Sequence, residues 1–397
     1  METAKYDVII IGAGASGLMC AAALYNNDPS LKVLVLEKNS KPGRKLLATG
    51  NGRCNFTNLD ISSDSYNTDD VKRLIQILHA YPANKIIDYF EKKIGVIAAY
   101  KDDLVYPITY QSKTIADALM GRSKSARFVY DTKVTSIVKK QMGYVVNGIF
   151  EADDIVIACG GVSYPDTGSD GSMYPVLKEL AGASSFERLL PSLVPLKTSD
   201  RDVKSLAGLR QECTVTMDSY VQKGEIQFTD YGISGICVMQ LSGIYNRAAD
   251  AGKNIKYVSV DLIPSMDQKT KEQKIKELLE SFPDKSAVDA LGGLLKKQIA
   301  KVVIDRSDKS ASDIARITGD FRINLSGSMG FENAQVTSGG VKLGSLNDGL
   351  ELLNHKGIYV IGEAVNVDGL CGGYNLHWAW ASALTASEAI LEESEGL

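Results

Sequence analysis

Tyr6-Asp-Val-Ile-Ile-Ile-Gly-Ala-Gly-Ala-Ser-Gly17, then an apolar run over residues 18–24, then Val33-Leu-Val-Leu-Glu37, decides the reading of this chain. Residues 7–11, rich in β-branched side chains, read as a buried parallel strand. They run into Gly12-x-Gly14-x-x-Gly17, which opens a helix-like segment. Each glycine has a mechanical job. Gly12 makes the tight turn, Gly14 lets backbone approach a pyrophosphate, and Gly17 permits close helix–strand packing. The helix start offers free N–H groups and a positive dipole end to phosphates. Glu37 stands 20 positions past Gly17, where a carboxylate reaches a ribose hydroxyl. A glycine-rich loop in some other α/β fold has no need of the acid. Strand, glycines, helix, second strand and acid in register predict a dinucleotide site.

Composition narrows the class. A chain of 397 residues, 44% hydrophobic and 23% charged, is an ordinary globular sequence of two or three domains. Lys and Arg number 44 against 48 Asp and Glu, a formal net charge of −4, which carries no electrostatic footprint for nucleic acid. No apolar run approaches the roughly 18 residues of a membrane span. The first strand begins within a few residues of Met1, so no signal peptide is expected. The six cysteines (Cys20, Cys54, Cys159, Cys213, Cys237, Cys371) form no CxxC. With three histidines and no ligand spacing, no metal site is expected. Free thiols of a cytoplasmic protein are the expectation, with Cys54 and Cys371 set inside glycine-rich loops.

Further along, Lys41-Pro-Gly-Arg-Lys-Leu-Leu-Ala-Thr-Gly-Asn-Gly-Arg-Cys-Asn-Phe-Thr-Asn58 is dense in glycine, asparagine and basic residues, as binding loops are. Arg44, Lys45 and Arg53 suit phosphate. Residues 69–94 read as helical around Pro82, 104–107 as a strand and 113–120 as a helix. Residues 128–130, 134–138 and 144–149 read as a β-meander. Asp154-Ile-Val-Ile-Ala-Cys-Gly-Gly161 is another buried strand running into paired glycines, as at the ligand edge of a doubly wound sheet. Beyond Pro191 the pattern turns to short strands with polar turns, at 213–217, 225–229 and 255–262, with one helix near 237–247. Residues 267–320 are charged and helical. Ile275, Leu278, Leu279 and Phe282 follow helical spacing as a core stripe, and Leu291, Leu294 and Leu295 lead a second helix. Strand and glycines return at Ala334-Gln-Val-Thr-Ser-Gly-Gly-Val341 and Gly357-Ile-Tyr-Val-Ile-Gly-Glu363. The chain then reaches Asp368-Gly-Leu-Cys-Gly-Gly-Tyr-Asn-Leu-His-Trp-Ala-Trp380 and an alanine-rich helix.

The opening fingerprint serves NAD and FAD alike. A late strand ending in Gly-Glu, then a glycine-rich turn and a helix, suits a flavin, because that helix start stabilises negative charge on reduced flavin. A second GxGxxG unit for NAD(P)H is absent from the sequence.

The motifs GAGASGLMCA, GRKLLATGNGRCNFTN, PDTGSDGSMYPV, LPSLVPL, FTDYGISG, AQVTSGGVKL and GEAVNVDGLCGGYNLHWAWASA resemble one bacterial family in the same order along nearly the whole chain. It is the YhiN-like or BaiN-like family of NAD(P)/FAD-dependent oxidoreductases, which includes aminoacetone oxidase. The resemblance implies an α/β fold: a Rossmann-like FAD-binding domain of glutathione-reductase type, interrupted by an antiparallel, barrel-like β insert and a small helical insert. The expected boundaries are 1–190 for the first part of the FAD domain, 191–264 for the β insert and 265–322 for the helical insert. A return strand at 323–337 follows, and 338–397 completes the FAD domain.

Carried onto this chain, the resemblance implies FAD contacts at Gly12, Gly14, Ala15, Ser16 and Gly17, with Glu37 and Lys38 at the adenosine ribose. Arg44, Asn51, Gly52, Arg53, Cys54 and Asn55 fall in the second loop. Gly160, Gly161, Gly362, Glu363, Gly373, Tyr374 and Asn375 complete the set. The segment Tyr106-Pro-Ile-Thr-Tyr-Gln-Ser-Lys-Thr departs from the family's usual Phe-Pro and Ser-x-Lys-Ala-Ser-like form. No catalytic acid or base is named. His377, between Leu376 and Trp378, reads as packed, and Tyr374 as orienting its turn.

The function implied is hydride transfer between FAD and a small organic substrate, with NAD(P)H as a possible donor to an enone-type acceptor. The alternatives are an amine oxidase using O₂, a flavoprotein that modifies tRNA, and a FAD-binding protein without turnover. Neither a nucleic-acid nor a membrane partner is expected, and the oligomeric state is left open.

Overall fold

The first strand, Lys5–Ile11, lies in the middle of a seven-stranded sheet. Val33–Leu36 pairs with it in parallel on one side and Phe150–Ile157 on the other. Ile9, Ile10, Leu34, Val35, Ile155 and Val156 are all fully buried. Strands covered on both faces read as unbroken apolar runs instead of alternating ones, which is why they stand out in the sequence. The eight-residue strand Phe150–Ile157 divides its outer edge. Its first half pairs antiparallel with Tyr144–Val146, and its second half pairs in parallel with Ile358–Val360. The late strand thus enters the same sheet as the first. This computed structural model describes residues 5–394.

One expected grouping is different. Arg127–Val129 does not join a meander with the strands after it. It pairs in parallel with Val33–Leu36 at the far edge of the sheet, while Ile137–Lys139 and Tyr144–Val146 form the hairpin on the opposite side. A three-residue strand carries too little pattern to reveal its partner.

The helix Ala15–Asn27 packs against the C-terminal helix Tyr374–Ser394. Ala21, Ala22 and Ala23 on the first and Ala379, Ala381 and Ala383 on the second are buried, and such short side chains allow the helices to approach closely. In the second helix Trp378 and Trp380 are buried, yet each indole N–H finds a backbone carbonyl, Gly362 at 3.0 Å and Phe56 at 2.8 Å. Together these bonds fasten two glycine-rich loops to one helix.

The chain divides into two compact units, one of residues up to Leu190 together with those from Val336, the other Pro191–Gln335. The second unit is built on a closed antiparallel barrel. Its strands run Leu196–Thr198, Gly232–Ser234, Tyr220–Phe228, Arg210–Met217, Tyr257–Asp261 and Phe321–Ser328, the last pairing back to the first. Four helices interrupt the barrel between its last two strands in sequence: Gln268–Ser281, Ala287–Ala290, Lys297–Asp305 and Ala311–Gly319. Asp267 caps the first by accepting from Thr270 N at 2.7 Å, and Ser310 caps the last. Two details differ from the sequence reading. Phe282 lies beyond the helix end and is exposed, with Lys285 over its ring. Leu291 opens a 3₁₀ turn at Gly292 and Gly293, and the next helix starts only at Lys297, because paired glycines favour a break.

Candidate functional site

At the carboxyl end of the first strand Gly12 turns at φ +106, where a Cβ would stand 2.4 Å from Ala158 O. At Gly17 a Cβ would stand 1.9 Å from Gly12 O. Both positions exclude any side chain. Gly14 is unlike them. Its φ is −80 and a Cβ there would meet nothing within 4 Å. It is also the N-cap of Ala15–Asn27 and supplies no side-chain cap, so the leading N–H groups at Ala15, Ser16 and Gly17 have no cap from it. That is an anion cradle.

Glu37 is buried and accepts through both oxygens. Its Oε2 accepts from Ala13 N at 2.8 Å, and its Oε1 accepts from Asn39 N and Asn39 Nδ2, both at 2.8 Å. Each oxygen has two lone pairs, so Oε2 keeps one in reserve. Lys38 is ion-paired with Asp170. Burial works to raise the Asp170 carboxyl, but hydrogen bonds from Lys38 and Ser172 outweigh it and hold the group down to about 2.

In the second loop four of the five residues 50–54 adopt left-handed backbone: Gly50, Asn51, Gly52 and Cys54. Gly52 again opens onto space. Arg44, Asn51 and Arg53 are exposed, and Arg44 reaches Asn39 Oδ1 at 3.3 Å. Burial pushes the Cys54 thiol up to about 12, which keeps it protonated and a poor nucleophile. Asn55 Oδ1 accepts from Val105 N at 3.1 Å and lies 3.1 Å from the place a Cβ on Gly373 would take.

The remaining residues gather around one carboxylate. Glu363 accepts from Lys45 Nζ at 2.7 and 3.0 Å and from Thr337 N at 2.8 Å. Thr337 Oγ1 accepts from Val162 N and pairs with Ser163 Oγ. It leaves no room at Gly161, where a Cβ would stand 2.3 Å from it. Gly160, at φ +71, has Ser169 Oγ and Glu363 Oε2 as its nearest neighbours. Gly362, at φ +66, packs against Ser16, whose Oγ lies 2.5 Å from a Cβ position. Gly373, at φ +96, packs against Thr57 O. The Tyr374 carbonyl accepts from Tyr66 OH at 2.9 Å, and the two rings meet edge to face. Asn375 spends its side chain on its own turn: it accepts from Gly369 N and donates to Gly369 O and Leu370 O.

The fold therefore brings the fingerprint to Gly362, the paired glycines to Glu363, and Asn55 to Gly373. Thr337, Ser163 and Thr57 belong to these contacts and were not marked by the sequence as site residues, while Lys45, read there as suiting phosphate, pairs with Glu363. Only the Thr-Ser-Gly-Gly run around Thr337 gave a signal. His377 is fully buried, with Nδ1 and Thr57 Oγ1 at 2.8 Å, and burial lowers it to about 4, which leaves it neutral near pH 7. A cavity of about 510 Å³ beside Lys5, Lys32 and Arg127 lies at the amino ends of the strands, away from all of these loops. Among the described residues no cluster of His, Cys, Asp or Glu is placed to hold a metal. No helix there is long and apolar enough to cross a membrane.

A family model described as the HI0933-like protein Rossmann domain matches residues 6–389. The chain is 31% identical to a 3-dehydro-bile acid delta(4,6)-reductase of Clostridium scindens, covering 96% of this chain and 98% of that one. It is 28% identical to a ribosomal RNA dihydrouridine synthase of Escherichia coli, covering 98% of both. Among solved structures, a 3-ketosteroid delta1-dehydrogenase from Sterolibacterium denitrificans superposes with a TM-score of 0.53 at 15% identity, covering 98% of this chain and all of that one. That likeness speaks for the fold.

Proposed function

The chain belongs to the HI0933-like family and is a FAD-dependent oxidoreductase, and from that premise we propose that it reduces a carbon–carbon double bond conjugated to a carbonyl, with NAD(P)H as electron donor. The observation that carries this reading is the chemistry shared by the two relatives' names. A delta(4,6)-unsaturated 3-dehydro bile acid and a uridine base each hold C=C conjugated to C=O, and each named reaction saturates it. An amine oxidase has no such support. An RNA uridine is the second substrate reading. It is favoured by the dihydrouridine synthase relative and set against the net charge of −4.

The residues suit FAD. Gly14 and Gly52 stand where even a Cβ meets nothing, and Gly14 opens onto an uncapped helix start. We assign Gly12, Gly14, Ala15, Ser16 and Gly17 to the pyrophosphate, and Glu37 and Lys38 to the adenosine ribose. The second loop lends Arg44, Asn51, Gly52, Cys54 and Asn55, and Arg53, which the resemblance sets among them, goes to the acceptor instead. Gly160, Gly161, Gly362, Glu363, Gly373, Tyr374 and Asn375 shape the rest, Asn375 through its turn. When bound, FAD supplies the hydride. The Tyr374–Ser394 helix start favours negative charge beside it. Among the described residues all six thiols are free, which supports a cytoplasmic setting.

The experiment is anaerobic mixing of the FAD-loaded protein with NADH and with NADPH, followed by an acceptor. Bleaching by one nucleotide, reversed by a conjugated carbonyl that gains two hydrogens by mass spectrometry, is expected. Peroxide formed from a primary amine without nucleotide would establish the oxidase instead.

A further inference from the structure

We propose that Tyr106, Tyr110 and the Arg53 side chain form the recognition surface for the acceptor, a flat conjugated carbonyl ring bearing an anionic substituent. This rests on the reductase reading above and names its substrate-binding residues.

The strand Leu104–Pro107 alternates: Val105 and Pro107 are buried, while Leu104 and Tyr106 share the other face. That face looks onto the Gly372–Gly373 turn, since Leu104 Cδ2 lies 3.5 Å from the Cβ position of Gly372. The turn itself is held by Asn58 Nδ2, which donates to Gly372 O at 2.8 Å. Tyr106 is the next residue along this face, and its ring lies 5.3 Å from that of Tyr110 at 34°. Two rings at that spacing rest against each other and form one tilted aromatic pair.

Tyr110 is held there against its own preference. Its φ is +52, a left-handed conformation that a bulky side chain disfavours. It is enforced by Tyr110 N donating to Pro107 O at 2.7 Å and by the Thr109–Thr114 hydroxyl pair at 2.6 Å. Packing holds it only in part: its ring rests on that of Tyr106, yet Tyr110 remains 41% exposed beside Ile108 at 59%. Strained backbone of this kind clusters at ligand sites, and here it lies beside the Gly372–Gly373 turn. Arg53 supplies the charge. It is exposed, it stands two residues before Asn55, whose Oδ1 accepts from Val105 N next to Tyr106, and among the described residues it is paired with no carboxylate. Ring faces for a planar acceptor and a guanidinium for a carboxylate or phosphate are thereby set side by side.

The test uses equilibrium dialysis of the FAD-loaded full chain with a 3-oxo-4-ene steroid carboxylate, uridine 5′-monophosphate and a uridine-containing RNA oligomer, with neutral cyclohex-2-enone beside them. Tyr110→Gly is the main variant, because glycine suits φ +52 and so keeps the fold at least as stable. Binding of the anionic probe that the wild type takes should weaken about tenfold in Tyr110→Gly, as loss of a stacking face predicts. Tyr110→Phe should retain it, and the FAD affinity of both should match the wild type. Arg53→Gln should weaken the anionic probe and spare cyclohex-2-enone. Which probe binds tells a free steroid acid from an RNA base. Unchanged probe binding in Tyr110→Gly, or an Arg53→Gln that loses FAD and keeps the probe, would overturn the assignment. Failure of the reductase reading shows elsewhere, as a wild type that binds the probe and does not reduce it.

Discussion

Glu37 at the end of the second strand holds Ala13 of the fingerprint loop, its Oε2 accepting the Ala13 N–H at 2.8 Å across 24 residues. With Asn39 donating twice to Oε1, the carboxylate serves as a brace that sets the loop before any ligand arrives. The same residue type that suits a ribose hydroxyl therefore has a structural role in the chain itself.

Replacing Glu37 by Gln puts an NH₂ opposite one of these N–H donors. A buried donor left without an acceptor costs roughly 1–3 kcal/mol, so Glu37→Gln should lose about that much stability in the FAD-free protein. Urea unfolding without FAD is the measurement. A variant that weakens FAD binding while leaving this stability untouched would show that the brace has no energetic weight.

The glycines of the fingerprint should separate by role. Gly17→Ala drives a Cβ to 1.9 Å from Gly12 O and should destabilise the protein by about 1–3 kcal/mol or more, as overpacking does. Gly14→Ala adds its methyl to open space and loses only N-cap preference, about 1 kcal/mol or less. Yet it should lose FAD affinity at least as severely as Gly17→Ala. Thermal unfolding alongside FAD titration distinguishes the two, and equal stability losses would refute the difference in role.

The parts of the fold legible in the sequence were those that a short stretch of chain carries by its own pattern. Residues 7–11, 33–36 and 154–157 announce themselves because both faces of those strands are covered. The fingerprint and its acid lie within one βαβ unit. By contrast, Lys45 and Glu363 stand 318 positions apart, and neither residue type signals the other. Asn375 follows a glycine-rich run that invites a ligand, but from the first turn of its helix its amide closes the Gly369–Leu370 turn, which spacing does not announce. Phe282 obeyed helical spacing and still fell outside the core, because the helix ends at Ser281 and periodicity does not mark its own limit.

His377 should impose an acid-side limit on stability. Burial lowers it to about 4 in the folded chain, against about 6.5 in an unfolded one. Between those values the unfolded chain binds the extra proton. Stability is therefore intact above pH 6.5 and falls as the pH drops towards 4, by about 3 kcal/mol in all. The wild type minus His377→Gln, compared by denaturant unfolding from pH 7 to pH 4, should show this slope. A flat difference would mean that the imidazole is not desolvated.

Asp154 should act in the opposite direction, from midway along the strand Phe150–Ile157. Burial raises it to about 7, helped by the charges of Glu393, Asp153 and Glu351 and partly offset by Lys356. A raised carboxyl holds its proton in the folded chain where the unfolded one, near 3.9, has released it. The favourable contribution is full below that value and is lost as the pH climbs to 7. At pH 8 the folded protein keeps a partly desolvated charge among three other carboxylates. Asp154→Asn removes that charge and should stabilise the protein at pH 8 by about 1–3 kcal/mol, the solvent still reaching the group having been discounted. The gain should fall to about a third of that at pH 5 and vanish only below about 3.9, where the carboxyl is neutral in the folded and the unfolded chain alike. Unfolding measured at both values decides it, and a gain of equal size at pH 5 would mean that packing around Tyr144 and Tyr359, and not charge, is what the substitution relieves.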